Sequence, residues 1–205
     1  VGVGSMFDQP LELPCGLVLR NRIIRAAAFA GGTVEEQAST HEEAARGGVA
    51  LTTVAYSSVS RDGRTFAEQL LLTPRDAPAD LANIARAVHA HGALLSFQLT
   101  HAGSFAERAL FLPDDYAGTG RDTVPERAAA PSAVFDLATL SYPEEMTARD
   151  MDRVCGDFAA AAAVACGQGE ADAVEVCAIP APNDSQWPCR SGDLKPRACW
   201  CLATA

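Results

Sequence analysis

Three side chains able to do chemistry stand where apolar runs give way to polar sequence: Gln98, His101 and Cys177. The carboxamide of Gln98 offers both a hydrogen-bond donor and an acceptor, and the imidazole of His101 can accept or donate a proton. Cys177 would need a base beside it to act as a nucleophile, and the sequence shows no candidate. A polar residue at a strand end often only binds a loop, and a lone histidine is often structural. The residue types alone therefore leave their roles open.

Four apolar segments separated by helical patterns must position these residues. The segments predicted as buried strands are residues 22–29, 49–56, 93–99 and 172–176. Strands that alternate with helices predict right-handed βαβ crossovers and a parallel sheet, which a (β/α) barrel and a doubly wound sheet satisfy equally. Either fold places its chemistry at the carboxyl ends of the strands. Candidate site residues are therefore those that come after Phe29, Val54, Gln98 and Val176.

Capping signals predict where the helices and a hairpin lie. Two alternating runs around Pro14, Cys15 and Gly16 predict a β-hairpin over residues 11–20. The predicted helix caps are Thr40 with Glu43, Asp76 ahead of Pro78, and Thr147 with Asp150. The predicted helix ends are Gly47 with Gly48, and Gly92. The predicted inner faces are Leu81, Ile84 and Val88 on the second helix and Met151, Val154, Phe158 and Ala162 on the third.

The remaining histidines are interpreted as peripheral. His41 is predicted on a helix surface. His89 and His91 stand at the end of the second helix, where imidazoles are usually exposed or cap backbone carbonyls.

Composition and charge limit the possible partners. The chain has 205 residues, 48% of them apolar, which is enough to bury a substantial core in one domain. A net charge of -10 without any concentration of Lys and Arg argues against nucleic acid as a partner. The longest apolar run, residues 158–166, is roughly half of the ~20 residues that a membrane span needs. No secretory leader is visible, so we expect a cytoplasmic protein that acts on a small molecule.

The cysteines indicate a reducing compartment rather than a disulfide framework. There are seven, an odd number, and those before residue 170 are scattered. The cysteines of the final stretch could in principle bind zinc; they are Cys177, Cys189, Cys199 and Cys201. They contain no Cys-x-x-Cys pair and have no histidine near them, so no metal site is predicted.

Five segments between about Met6 and Val176 resemble the Old Yellow Enzyme-like NADH:flavin oxidoreductase family. They are MFDQPLELPCGLVLRNRIIRAAAF, GGVALTTVAYSSVSRDGRTF, AVHAHGALLSFQLTHAG, PSAVF and EEMTARDMDRVCGDFAAAA. The resemblance implies an α/β fold of the (β/α)8 TIM-barrel type with bound FMN. It also implies hydride transfer from NAD(P)H through the flavin to an activated alkene, commonly an α,β-unsaturated carbonyl. The hairpin would then plug the amino-terminal face of the barrel.

The same resemblance assigns candidate site residues. It places Gln98 on the donor and acceptor edge of the isoalloxazine ring. It places the backbone of Ala26, Ala27 and Ala28, after the first strand, and of Ala55, on the second, close to the flavin. His101 would lie in the substrate pocket at the mouth of the barrel.

The chain departs from the family pattern at Cys177. There the family has a carbonyl-binding histidine, followed by a histidine or asparagine and a Gly-Tyr pair, but this chain has no histidine after His101 and no tyrosine after Tyr142. We therefore assign no catalytic residue. Residues 1–176 are predicted to form an incomplete barrel with about four βα units and the hairpin, without strands five to eight. Residues 177–205 are predicted to be an aberrant, disordered tail from a shifted reading frame or retained intron.

Two functional hypotheses follow. The first is an FMN-dependent oxidoreductase by descent that is inactive in this truncated form. The alternative is a non-catalytic half-barrel or pseudoenzyme that binds no cofactor, or that acts only through a partner. A different barrel enzyme, such as an aldolase, is disfavoured because no lysine marks a strand end suited to Schiff-base chemistry. The oligomeric state is left open.

Overall fold

The computed structural model describes residues 6–65, 68–106, 128–135 and 142–177. The strands are β1 (Leu11–Glu12), β2 (Val18–Leu19), β3 (Ile24–Arg25), β4 (Leu51–Ser58), β5 (Leu94–Thr100), β6 (Ala129–Ala130), β7 (Glu144–Glu145) and β8 (Ala173–Cys177). The helices are α1 (Val34–Arg46), α2 (Ala82–His89) and α3 (Ala148–Gly167), with short 3₁₀ turns at Met6–Asp8 and Gly103–Phe105. The predicted tail lies outside the described residues except for Cys177.

The main sheet has the order β3-β4-β5-β8, and every neighbouring pair is parallel. Strand order therefore follows chain order without the reversal that defines a doubly wound sheet. Outward-facing Leu95, Phe97 and Leu99 of β5 share one apolar core with the three helices. A sheet that adds strands in chain order and carries its helices on one face is an arc of a (β/α) barrel. The predicted fold class is confirmed.

The first predicted strand is much shorter than expected and is not buried. Only Ile24 and Arg25 join the sheet, and Ile23 and Ile24 remain 44% and 48% exposed. The reason is position: β3 pairs with β4 alone among the described strands, so its apolar residues lie at a sheet edge. The strands predicted at residues 49–56, 93–99 and 172–176 are confirmed, each displaced by one or two residues.

Helix α1 begins earlier than predicted. Thr33, not Thr40, is its N-cap: the Thr33 side chain accepts from the backbone N–H of Glu36, whose carboxylate accepts in turn from the backbone N–H of Thr33. Thr33 has the extended backbone that an N-cap requires. Thr40 lies inside the helix instead, where its hydroxyl donates to the carbonyl of Glu36. The predicted end at Gly47 is confirmed.

Helix α2 begins at Ala82 and has no side-chain cap, so the prediction of Asp76 as its cap was wrong. The carboxylate of Asp76 accepts instead from Arg61 and from the hydroxyl of Thr73, within the loop that precedes the helix. The predicted inner face of α2 is fully buried; it consists of Leu81, Ile84 and Val88.

Helix α3 has the predicted capping box of Thr147 and Asp150. Its contact face is only partly as predicted. Phe158 and Ala162 pack against the core, but Ala161 and Ala165 are the fully buried positions. Alanines without a longer side chain allow the helix to approach the sheet closely.

The hairpin of β1 and β2 lies at the amino-terminal end of the main sheet, as predicted. It is antiparallel, with Leu11 opposite Leu19, and Leu19 packs against Ala50 and Leu51 where β4 begins. The guanidinium of the following residue, Arg20, donates to three backbone carbonyls, those of Ala45, Val49 and His91. One side chain thus joins the hairpin to the ends of both α1 and α2.

His89 is exposed at the end of α2, as predicted, whereas His91 is half-buried and His41 is buried. His89 Nε2 lies 2.8 Å from a carboxylate oxygen of Asp172, and His91 Nε2 lies 3.1 Å from one of Glu42, so both contact carboxylates rather than carbonyls. His41 is 1% exposed rather than on a helix surface. Its Nδ1 lies 2.7 Å from the hydroxyl of Thr52, because α1 packs this face against β4.

Neither a membrane span nor a metal cluster is found in the described part of the chain. None of its helices is both long and apolar enough to cross a bilayer. No group of three or more potential ligands among the described residues could hold a metal ion. Its four cysteines, Cys15, Cys155, Cys166 and Cys177, are free thiols.

The burial of His41 predicts a pH-dependent stability. Burial, with a smaller contribution from Arg25, lowers the pKa of His41 from 6.5 to about 4. The unfolded chain therefore binds this proton first as the pH falls, so stability is full above the unfolded pKa and is lost between pH 6.5 and about 4. We expect wild type to lose about 2 kcal/mol more than His41→Gln between about pH 7 and about pH 4.5. Urea unfolding at the two pH values measures this difference, and equal losses would contradict it.

Candidate functional site

The side chain of Gln98 lies on the inner face of the sheet, opposite the helices, near the carboxyl end of β5. It is 9% exposed, and both ends of its amide are engaged. Nε2 donates to Oε1 of Glu175 at 2.6 Å, and Oε1 accepts from the backbone N–H of Tyr56 at 3.4 Å. Gln98 and Glu175 are register partners on β5 and β8, which places their side chains on the same face. The amide thus bridges β4 and β8 across the strand between them.

A bulge in β4 creates the acceptor-side contact of Gln98. The register with β5 shifts between Val54 and Ser57. Within it, Tyr56 adopts a left-handed φ of 53°, a conformation that non-glycine residues seldom take. Ala55 is buried beside it, and the Tyr56 ring meets the edge of Phe29 at a centroid distance of 6.0 Å. The ends of β3 and β4 are therefore held together.

The three alanines after β3 follow the strand in irregular backbone. Ala26 and Ala28 are exposed and Ala27 is half-buried. Their methyl groups leave the peptide groups open to a close approach. The structure thus brings Ala26–Ala28, Ala55 and Gln98 to the same carboxyl edge of the sheet.

His101 lies just beyond β5 under the loop that follows β4. Its Nδ1 accepts from the backbone N–H of Gly103 at 3.2 Å, so in the neutral ring Nε2 carries the proton. Nε2 is buried and has no hydrogen-bond partner among the residues that the structure describes. Burial lowers the pKa of His101, and the negative charge of Asp62 partly offsets that effect. The ring is consequently a neutral donor at neutral pH.

An ion pair fastens this loop to α3. Arg153 donates to Asp62 at 2.6 Å and to Asp157 at 2.9 Å. Although burial alone would raise the pKa of Asp62, its hydrogen bonds with Ser60 and Arg153 hold that pKa below the usual value. The backbone N–H of Ala102 also donates to the carbonyl of Gly63. The loop is thus anchored on both sides of His101.

Cys177 is the last described residue and the end of β8, opposite Thr100. Its thiol is half-buried, and burial together with the charge of Glu175 raises its pKa. A protonated thiol is a weak hydrogen-bond donor and a poor nucleophile.

Sequence reasoning missed two groups of this site. The residue pattern places Glu175 only within a strand, although it is a charged residue in the apolar run of β8. A charged residue inside an apolar strand is a signal that could have identified Glu175 as a site residue. The inward N–H of Tyr56 depends on the bulge and has no signature in the residue types.

Comparison with known proteins identifies the family. Residues 6–180 match the model of the NADH:flavin oxidoreductase / NADH oxidase family. The chain belongs to this family. The resemblance noted in the sequence is therefore confirmed.

Two relatives named as reductases are much longer than this chain. A 4,4'-dithiodibutanoate disulfide reductase of Rhodococcus erythropolis is 36% identical over 165 residues, which cover 78% of this chain and 37% of the relative. A multifunctional alkene reductase/demethylase of Caballeronia cordobensis is 31% identical over 173 residues, covering 82% of this chain and 24% of the relative. The chain thus spans 24% to 37% of the length of these proteins.

Solved structures agree on the fold. The old yellow enzyme of Trypanosoma cruzi matches with a TM-score of 0.65 at 24% identity, covering 83% of this chain and 50% of that one. A 2-naphthoyl-CoA reductase matches with a TM-score of 0.71 at 22% identity, covering 86% of this chain and 27% of that one. At this identity the likeness concerns architecture, and it supports a partial barrel.

The residues at the carboxyl edge fit the ring edge of a flavin. After its two contacts, the Gln98 amide retains one N–H and one carbonyl lone pair, and an isoalloxazine edge alternates acceptors with donors. The open backbone of Ala26–Ala28 lies at the same edge.

We predict that the loop over His101 depends on the absence of a side chain at position 63. A Cβ on Gly63 would lie 2.5 Å from Cδ2 of the His101 ring, so alanine there must displace the ring or the loop. Gly63→Ala should lower the free energy of unfolding by about 1–3 kcal/mol, measured by urea denaturation.

Gly156→Ala is the matched control. Nothing lies within 4 Å of a Cβ at this helical position. Alanine there should raise stability, by up to about 1 kcal/mol. A neutral Gly63→Ala variant would show that the His101 ring is not confined by the loop.

Proposed function

We propose that this chain is an FMN-dependent NAD(P)H oxidoreductase of the ene-reductase type. The observation that carries the proposal is Gln98: a buried carboxamide at a carboxyl strand edge, held on two sides and with a donor and an acceptor to spare. The family match supports a flavin, and the reductase activities named for the two relatives support a reduction. The proposed substrate class is an activated alkene such as an α,β-unsaturated carbonyl.

The bound flavin would supply hydride transfer from NAD(P)H to the alkene. The chain's own residues would hold and shield the reactants. Gln98 would bind the ring edge, and the peptide groups of Ala26, Ala27, Ala28 and Ala55 would allow the ring to lie close to the sheet. The Nε2–H of His101 is a neutral donor at the same edge and would bind a polar substrate atom. The loop anchored by Arg153 would exclude water around it.

Cys177 limits this activity. In the family pattern its position belongs to a side chain that binds the substrate carbonyl and polarises the alkene. Removal of one such preorganised donor typically costs about 100-fold to 1,000-fold in rate. The protonated thiol of Cys177 is too weak a donor to replace it. We therefore propose that alkene reduction by this chain is slow even with flavin bound.

The same residue favours a second candidate, a non-catalytic half-barrel or pseudoenzyme. A chain without its polarising side chain has no catalytic need of the flavin, so flavin binding would be lost as well. Flavin binding distinguishes the two candidates, because the first requires it and the second does not.

We expect the purified chain to quench FMN fluorescence and to show a visible flavin band that NADH or NADPH bleaches. Gln98→Ala should weaken FMN binding by about tenfold, because one buried polar anchor is lost. Gln9→Ala, at an exposed carboxamide that precedes the hairpin, is the control and should bind FMN as wild type does. A wild type that binds no FMN would contradict the enzyme proposal and support the cofactor-free half-barrel.

We also expect Cys177→His to increase alkene reduction. An imidazole at this strand end supplies a stronger donor than a thiol, so the rate with 2-cyclohexenone should rise by about tenfold or more. Consumption of NADPH in the absence of oxygen measures this rate. Cys155→His, on the exposed surface of α3, is the matched control. An equal rate in wild type and Cys177→His would exclude position 177 as the polarising site.

A further inference from the structure

We propose that Glu175 is a positioning residue that fixes the orientation of the Gln98 amide, and thereby the hydrogen-bonding pattern that the site offers to a flavin ring. This inference rests on the proposed function. It concerns a carboxylate on β8 that neither the residue types nor the family resemblance assigned to the site.

The contact is short and is fixed by the sheet. Nε2 of Gln98 lies 2.6 Å from Oε1 of Glu175, and the two residues are register partners on adjacent parallel strands. Hydrogen bonds to an ionised acceptor are shorter and stronger than neutral ones. The charge of Glu175 also reaches Cys177, two residues along the same face, where it contributes to the raised thiol pKa.

A carboxamide needs such a partner because its two ends are nearly the same shape. Rotation about its last side-chain bond exchanges oxygen for nitrogen at little steric cost. Glu175 accepts hydrogen bonds and the backbone N–H of Tyr56 only donates, so the two flanking groups have opposite polarity. The flipped amide would set its oxygen against the carboxylate and its NH₂ group against the Tyr56 N–H. Both contacts would then be repulsive, so one orientation is strongly favoured.

The orientation of the Gln98 amide determines which of its hydrogen-bonding groups remain available to a ligand. One N–H of Gln98 is left on the β8 side and one carbonyl lone pair on the β4 side. A flavin edge bound here must therefore present an acceptor toward β8 and a donor toward β4. Glu175 would act through Gln98 and not through a contact of its own with the ring.

The test begins with the chain free of flavin. In a ¹H–¹⁵N spectrum the side-chain amide of Gln98 is identified by its absence in Gln98→Ala. We expect one of its protons in wild type to be shifted downfield and slow to exchange, as for a hydrogen bond to a carboxylate. That signature should be lost in Glu175→Gln, which keeps the size of the side chain and removes the charge. Glu145→Gln, at an exposed strand position, is the matched control and should keep it.

The second measurement is binding of FMN and of lumiflavin, which has the ring without the phosphate. Glu175→Gln and Glu175→Ala should weaken binding of both probes by about fivefold to tenfold, with Glu145→Gln unchanged. Urea unfolding of each variant separates lost binding from lost folding. If Glu175→Ala proves unfolded, the isosteric Glu175→Gln carries the test.

The outcomes separate the two proposals. If wild type binds both probes and Glu175→Gln binds them equally well, the positioning role is wrong and the proposed function stands. If the Gln98 amide protons show no dependence on Glu175, the positioning role is also wrong, whatever the flavin result. If the amide signature is present but wild type binds neither probe, the proposed function fails, and the role of Glu175 toward a flavin fails with it.

Discussion

The period-two alternation of β5 is the constraint on which the site depends. Leu95, Phe97 and Leu99 enter the apolar core beneath the helices, so the residues between them must face the other side of the sheet. A buried amide on that side is costly unless it finds hydrogen-bond partners. Gln98 finds them on both neighbouring strands. The packing that stabilises the helical face therefore also determines which side chains can form a site.

The partners of Gln98 require two further features of the sheet. The first is the exact parallel register of β5 and β8, which sets Glu175 beside Gln98. The second is the bulge in β4, where Tyr56 holds a left-handed backbone that costs free energy in a non-glycine residue. Its ring contact with Phe29 helps to stabilise that conformation. Strain at a strand end is thus retained where it presents an inward N–H to the site.

How much the sequence could predict depended on whether the signal was local. The buried strand β4 and the capping box of α3 were readable because a β-branched run and a Thr-x-x-Asp pattern are complete within a few residues. The start of α1 was ambiguous, since Thr33 and Thr40 are each followed three residues later by a glutamate, and only backbone conformation distinguishes them. The family resemblance identified Gln98, but its partner Glu175 lies 77 positions away in the chain. Such a pairing follows from strand register, which local patterns do not encode.

The ends of β5 and β8 differ in what holds their side chains. The contacts of Gln98 come from the sheet itself, from a register partner on β8 and from the bulge in β4. Cys177 lies two residues beyond Glu175 on the same face of β8, opposite Thr100 at the end of the strand. Under the proposed function, binding of the flavin ring would therefore depend on several parts of the sheet, whereas polarisation of the substrate would depend on the one side chain at position 177. Loss of the second would then leave the first intact.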